Sequence, residues 1–343
     1  MNMRIGELFL LGFRGNKIPS WLFEFERKHG LGGVILFDYD YQAKKYENNI
    51  QSLDQVEDLC GEISRLESRP LIFIDQEGGK VRRLKESKGF APLPSQFALN
   101  KMREAEKYAV LRKSFLELRA LGFDFNLAPV IDLNLNPQNP DIGAVERSYS
   151  ADPKEVRANV EIVNRVAVEV GLGLCLKHYP GLGGATVNSH LELTDLSDSV
   201  RAAHFEKDQL SLFWDYGKTI HGQALILSHG VVRQWDSRLP TSMSKIAIHQ
   251  LRSKLPDALL ISDDLQMQGL QKIKSTEESC LLGLQAGLDM LCIGNNLMHD
   301  DLKLQSIADG LLIASDQDLE FKKVLLQACN RVRDRKTAFK KIS

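Results

Sequence analysis

The sequence has no C-x-x-C pair, no apolar run long enough to cross a membrane and no excess of charge of either sign. Its five cysteines, Cys60, Cys175, Cys280, Cys292 and Cys329, are widely scattered. That spacing argues against a zinc knuckle or a disulfide framework and leaves buried thiols in a reducing compartment. No stretch reaches the ~18 apolar residues of a membrane span. The opening segment MNMRIGELFLLGFRGNK holds only a short apolar run broken by Gly12. It is too short for a signal core with its cleavage site and reads as a first strand. The formal net charge is -1, without the basic excess that a nucleic-acid or membrane-surface partner would demand. The sequence offers no metal-ligand cluster and no convincing cofactor loop, so neither a metal nor a cofactor is expected, and the expected location is the cytoplasm.

What is present is a regular alternation. Short, near-continuously apolar runs read as strands at 7–12, 33–37, 70–75, 123–129, 172–178, 224–229, 258–263 and 290–294. Continuous rather than alternating hydrophobicity is the mark of parallel strands buried on both faces. Helical patterns separate them, with start signals of their own. Ser52-Leu-Asp-Gln55 and Ser275-Thr-Glu-Glu278 read as capping boxes. Asp152-Pro153-Lys-Glu155 joins an acidic N-cap to a proline at the first helical position, and opens a helix with Val156, Val160, Val163, Ala167 and Val170 on its core face. Eight strands alternating with helices, without a low-complexity linker, predict a single-domain α/β (β/α)8 barrel over 1–343. A doubly wound open sheet is the competing architecture.

In such a barrel the C-terminal strand ends face the substrate, and here those ends are polar. The third strand runs into Asp75-Gln76-Glu77-Gly78-Gly79, the fifth into Lys177-His178, the sixth into Ser228-His229 and the seventh into Ser262-Asp263-Asp264. Four polar ends together point to a pocket. Plainer roles stand beside each: Asp75 as a turn cap before two glycines, Lys177 and Asp263 as a structural ion pair, His229 as a hydrogen-bonded core histidine. Gly181-Leu-Gly183-Gly184 has only a superficial likeness to a dinucleotide fingerprint, because Pro180 precedes it and no helical pattern follows at once.

These segments resemble those of bacterial family 3 glycoside hydrolases, in the single-domain β-N-acetylglucosaminidase branch. The resemblance rests on Gly33-Val-Ile-Leu-Phe37, on Ile74-Asp75-Gln-Glu-Gly-Gly-Lys-Val-Arg-Arg83-Leu84, and on Ala128-Pro-Val-Ile-Asp132-Leu-Asn134. Glu146-Arg147-Ser-Tyr149, Lys177-His178-Tyr-Pro-Gly181, Asn188-Ser-His190 and Ser262-Asp263-Asp264-Leu-Gln-Met267 complete it. It implies retaining hydrolysis of terminal β-N-acetylglucosamine from cell-wall fragments, a small-molecule sugar being the partner. Asp263 would be the nucleophile and His190 the acid/base. Asp75, Arg83, Arg147, Lys177 and His178 would bind the non-reducing sugar.

The chemistry agrees with those residue types. A retaining glycosidase needs a carboxylate at the anomeric carbon and an acid at the leaving oxygen. Lys177 beside Asp263 would keep the nucleophile ionised, and arginines suit directed hydrogen bonds to vicinal hydroxyls. Asp264, next along an extended segment, should face the other way. Two departures stand out. The family's Pro-Gly-His-Gly becomes Pro180-Gly181-Leu182-Gly183, and its Asp-Ser-His becomes Asn188-Ser189-His190. Asn188 takes the dyad position but brings no charge to favour a protonated His190, so activated aryl glycosides should outrun disaccharides. Other readings stay open: a sugar-binding homologue with little turnover, a glycosidase for another sugar, a phosphorolytic enzyme, or a Schiff-base lyase through Lys177.

Overall fold

The computed structural model describes residues 3–189, 191–298 and 301–340. Eight parallel strands occupy the eight expected places: β1 (Phe9–Leu11), β2 (Gly33–Leu36), β3 (Leu71–Ile74), β4 (Phe125–Asn126), β5 (Gly173–Tyr179), β6 (Ala224–Leu227), β7 (Leu259–Ser262) and β8 (Leu291–Ile293). They pair in the order β8-β1-β2-β3-β4-β5-β6-β7. A parallel bridge from Ile261 to Met290, with Ser262 N donating to the Met290 carbonyl at 3.0 Å, joins β7 to β8 and closes the barrel. An open sheet is thereby excluded. Every strand residue is buried, as the continuous apolar runs require.

Most strands are trimmed by one or two residues, and two, β1 and β4, lose at least half of the length that the sequence implies. Residues Ile5–Leu8 form a single 3-10 turn instead of extending β1, and the Glu7 carboxylate meets Lys336 Nζ at 2.7 Å inside the helix Leu319–Lys340. A buried carboxylate needs such a cation, and the turn delivers it. β4 keeps only two ladder residues because Asn126 bonds sideways to Gln76: Gln76 N donates to Asn126 Oδ1, and Asn126 Nδ2 to the Gln76 carbonyl, both at 2.9 Å. Pro129, without an N–H, then ends regular pairing. One element went unseen in the sequence, a small antiparallel hairpin of Gln76–Gly78 against Val81–Arg82.

The helix starts largely follow their signals. Ser275 and Glu278 make both halves of a capping box, and Asp152 caps Lys154 N with Pro153 opening the helix Pro153–Val170. At Ser52 only half the box forms. Its Oγ accepts from Gln55 N, while the Gln55 side chain reaches back to Gln51 N and the Asn49 carbonyl. Val156, Val160, Val163 and Ala167 are buried against the barrel, with Val170 at its edge. All five cysteines are free and buried. Among the described residues no helix is long and apolar enough to cross a membrane. With all strands parallel, their C-terminal ends share one mouth.

Candidate active site

At that mouth lies a cavity of about 260 Å³ bordered by Asp75, Arg83, Arg147, Lys177, His178 and Asp263. These six come from four separate stretches of the chain, and the structure brings them together. Its floor is apolar, made by Leu10, Ile35, Ile226, Ile261 and Cys292 from five strands. The volume is at the small end for ligand pockets, which run from about 300 to 1,000 Å³ for drug-sized molecules, and it suits one sugar ring. Among the described residues no cluster of histidine, cysteine and carboxylate side chains could hold a metal ion.

The hairpin after β3 explains how Arg83 reaches the cavity. Gly78 at φ 105° and Gly79 at φ 58° make its turn, where L side chains are strained. A Cβ on Gly78 would also lie 2.0 Å from the Pro94 carbonyl oxygen. Gln76 is the bolt: its Oε1 accepts from Arg83 N at 2.9 Å and from Leu84 N at 3.0 Å. Arg83 Nη2 then stands 3.3 Å from Asp75 Oδ2, with Nη1 3.7 Å from the buried Asp38.

Arg147 is gripped from several sides. Glu146, at φ 59°, turns the chain ahead of it. Its Nε and Nη2 fork onto Glu77 at 2.8 Å each, and Nη1 donates to the Asp141 carbonyl at 2.9 Å. Nη2 also lies 3.0 Å from His178 Nε2. A guanidinium has no acceptor, so Nε2 accepts and Nδ1 carries the proton, donating it to Asp132 Oδ2 at 2.7 Å. His178 N donates to the other oxygen of Asp132 at 3.0 Å. The imidazole is thus fixed in tautomer and orientation.

Lys177 has two carboxylate partners that the sequence did not pair with it. Its ammonium group pairs with Asp75 Oδ1 at 2.7 Å and Glu77 Oε1 at 2.6 Å. The short β4 lets β5 reach across to the end of β3, where the buried Glu77 and the partly buried Asp75 need a cation. Burial alone would raise both carboxyls. At Asp75, Lys177 and Arg83 outweigh it and hold the group well below its ordinary range. At Glu77, Arg147 and Lys177 bring it down to about 2. Burial would likewise lower Lys177, but Asp75 and Glu77 raise it. The cavity wall is therefore a set of permanent ions.

Asp263 leaves β7 with its N–H donating to the Leu227 carbonyl at 2.9 Å and its Oδ1 accepting from Asp264 N at 2.9 Å. Asp264 borders the cavity too, so it does not turn fully away. Its Oδ1, however, accepts from Gln266 N and Gly294 N, which ties it towards β8. His229 proves to be a core histidine, with Nδ1 2.8 Å from Ser242 Oγ and Nε2 3.0 Å from the Asp264 carbonyl. Of the two remaining candidates, Asn188 is half-buried and its carbonyl accepts from Leu191 N and Glu192 N. His190 lies outside the described residues.

Glu77 and Asp132 hold the site together, yet both stood in the sequence only as members of longer segments. Their signal was position: each follows a strand end by one or a few residues. Tyr41, half exposed at the rim and packed with Tyr39 at 5.0 Å between ring centres, had no signal at all.

Comparison with known proteins adds independent information. The family described as "Glycosyl hydrolase family 3 N terminal domain" matches residues 2–323. A beta-hexosaminidase of Idiomarina loihiensis is 30% identical over 276 residues, 78% of this chain and 77% of that protein. The glycoside hydrolase family 3 beta-N-acetylglucosaminidase of a Paenibacillus species superposes with a TM-score of 0.82 at 25% identity over 98% of this chain. This chain spans only 63% of that longer protein. The beta-N-acetylhexosaminidase of Beutenbergia cavernae shares the fold over 98% of both chains, with a TM-score of 0.80 at 23% identity.

Proposed function

The chain belongs to family 3 of the glycosyl hydrolases, in its β-hexosaminidase branch, and on that footing we propose that it releases terminal β-N-acetylglucosamine with retention, through Asp263. The observation that carries the reading is that Asp263 enters the same small cavity as the anchored Asp75–Arg83 pair. A sugar ring whose hydroxyls engage that pair would share this cavity with the nucleophile. Arg147 has most of its donors committed to protein atoms, so its part is chiefly to fix Glu77 and His178.

In the first half-reaction an Asp263 oxygen bonds to the anomeric carbon as the bond to the leaving oxygen breaks, and that oxygen takes a proton from His190. In the second, water attacks the same carbon and gives its proton to the imidazole, and the Asp263 carboxylate departs. The assignment of His190 comes from the family resemblance. One barrel would carry the whole reaction, acting in the cytoplasm on sugars derived from the cell wall. A sugar-binding homologue is the second reading, favoured by Asn188.

A panel of aryl β-glycosides differing only at C2 tests the proposal. The wild type should prefer the 2-acetamido substrate, and Asp263→Ala should lose at least about 10³-fold in turnover, as expected when a covalent nucleophile is removed. A 2-fluoro sugar should label the peptide containing Asp263. Label on Asp264 or Glu77 would overturn the assignment, and a wild type that binds the sugars without turnover would favour the second reading.

A further inference from the structure

The chain leaving β2 is held by one buried side chain. Asn49 Oδ1 accepts from Phe37 N at 2.9 Å, and Asn49 N donates to the Phe37 carbonyl at 3.0 Å. Its Nδ2 donates to the Phe13 and Gly15 carbonyls at 3.0 and 2.6 Å. Asp38 leaves this fixed backbone with a side chain only 1% exposed. Neither of its oxygens has a hydrogen-bond partner among the described residues. Two cations face them instead, Arg83 Nη1 at 3.7 Å from Oδ1 and Lys85 Nζ at 3.3 Å from Oδ2. The Lys85 ammonium directs its hydrogen bond to the Arg82 carbonyl, at 3.1 Å.

Arg83 is held as loosely as Arg147 is held tightly. Its one hydrogen bond among the described residues is the 3.3 Å contact of Nη2 with Asp75 Oδ2, and its Nε is buried without a partner. A guanidinium offers five N–H donors, and this contact uses one. The group lies 5.5 Å from the centre of the Phe37 ring, with Asp75 at one end and Asp38 at the other. Arg83 borders the cavity; Asp38 stands behind it. A buried carboxylate without donors is costly to keep. We propose that Asp38 is a positioning residue for sugar binding, the carboxylate towards which Arg83 turns when a hydroxyl of the terminal sugar comes between Arg83 and Asp75. The inference rests on the reading of this cavity as the seat of that sugar.

A hydroxyl is the ligand group this arrangement fits. It donates to Asp75, which has only acceptors, and accepts from Arg83, which has only donors. Charge-assisted hydrogen bonds are about 2.8 Å long, so a shift of about 1 Å brings Nη1 onto Asp38 and frees Asp75 Oδ2 for the sugar. Without Asp38 the guanidinium keeps Asp75 as its sole anionic anchor, and sugar and arginine compete for the same oxygen.

Calorimetry with N-acetylglucosamine and its 3-, 4- and 6-deoxy analogues tests this without requiring turnover. Arg83→Met identifies the hydroxyl, because the deoxy penalty that disappears is the one read by Arg83. Asp38→Asn should raise Kd for N-acetylglucosamine roughly tenfold, as for one hydrogen bond to a charged group. It should shrink that same deoxy penalty about as much and leave the other two as in the wild type. Asp38→Leu, which removes the acceptor altogether, should do the same or more; the nearly isosteric Asp38→Asn decides alone should the leucine variant not fold. On top of Arg83→Met, Asp38→Asn should change Kd by less than about twofold, as expected when one residue acts through the other. Equal weakening of all four sugars, as a general structural role would give, overturns the inference. So does an unchanged Kd, or a full loss that persists without Arg83. A wild type that binds N-acetylglucosamine but hydrolyses no glycoside removes the hydrolytic reading while the role of Asp38 is still decided. A wild type that binds none of the sugars overturns both.

Discussion

Arg147 shows how a residue at a strand end can be recruited by the protein before any ligand arrives. Its fork onto Glu77 is buried, with one face on His178 and another on the Asp141 carbonyl. Removing one member of a buried ion pair leaves an uncompensated charge, at a cost of about 3–5 kcal/mol. Arg147→Met should therefore lower the urea-unfolding free energy by that order, and Arg147→Lys should recover only part, since an ammonium cannot supply the fork. A loss under 1 kcal/mol in Arg147→Met would show that Lys177 alone compensates Glu77. The sequence made Arg147 visible as a site residue, but it could not say whether a sugar or a carboxylate takes its donors. That choice depends on distances across β3, β4 and β5. For the same reason Lys177 was legible as a pocket residue while its pairing with Asp75 and Glu77 was not.

At the scale of elements, the apolar runs and N-caps placed all eight strands and the main helix starts. Where they failed, a side chain had replaced a backbone partner. Asn126 substitutes for ladder bonds at the end of β4, Glu7 draws the start of β1 into a turn, and Gln55 bypasses its own N-cap for Gln51. The hairpin after β3 carried no strand-like pattern, because Gln76 rather than alternating hydrophobicity secures it. Gln76→Ala deletes the acceptor for Arg83 N and Leu84 N. With one net hydrogen bond worth about 1 kcal/mol, it should raise KM for the sugar roughly five- to tenfold while changing kcat much less. An unchanged KM would mean that Asp75 and Asp38 position Arg83 unaided.

For the whole molecule, closure of the barrel was legible from the count of strands, and the composition of the mouth from the strand ends. The wall of permanent ions has a consequence for acid stability. Asp75 and Glu77 are held below their ordinary values, so their contribution to stability is complete above the unfolded carboxyl range of about 4. As pH falls below that range the unfolded chain takes up protons that the folded site refuses until about 2 at Glu77. The urea midpoint should be insensitive to these groups above about pH 5 and drop steeply between about 4 and 2. A flat midpoint across that window would show that the carboxylates are not held down. The loops after β4 and β5 carry a different implication, for inheritance and for engineering. Because Asn136 donates to the carbonyls of Gly183 and Ala185, and Asn139 to that of Leu182, a β5 loop borrowed from a relative would arrive without its counterpart. The two loops are best transplanted as one cassette, and natural sequences that change one should be found to have changed the other.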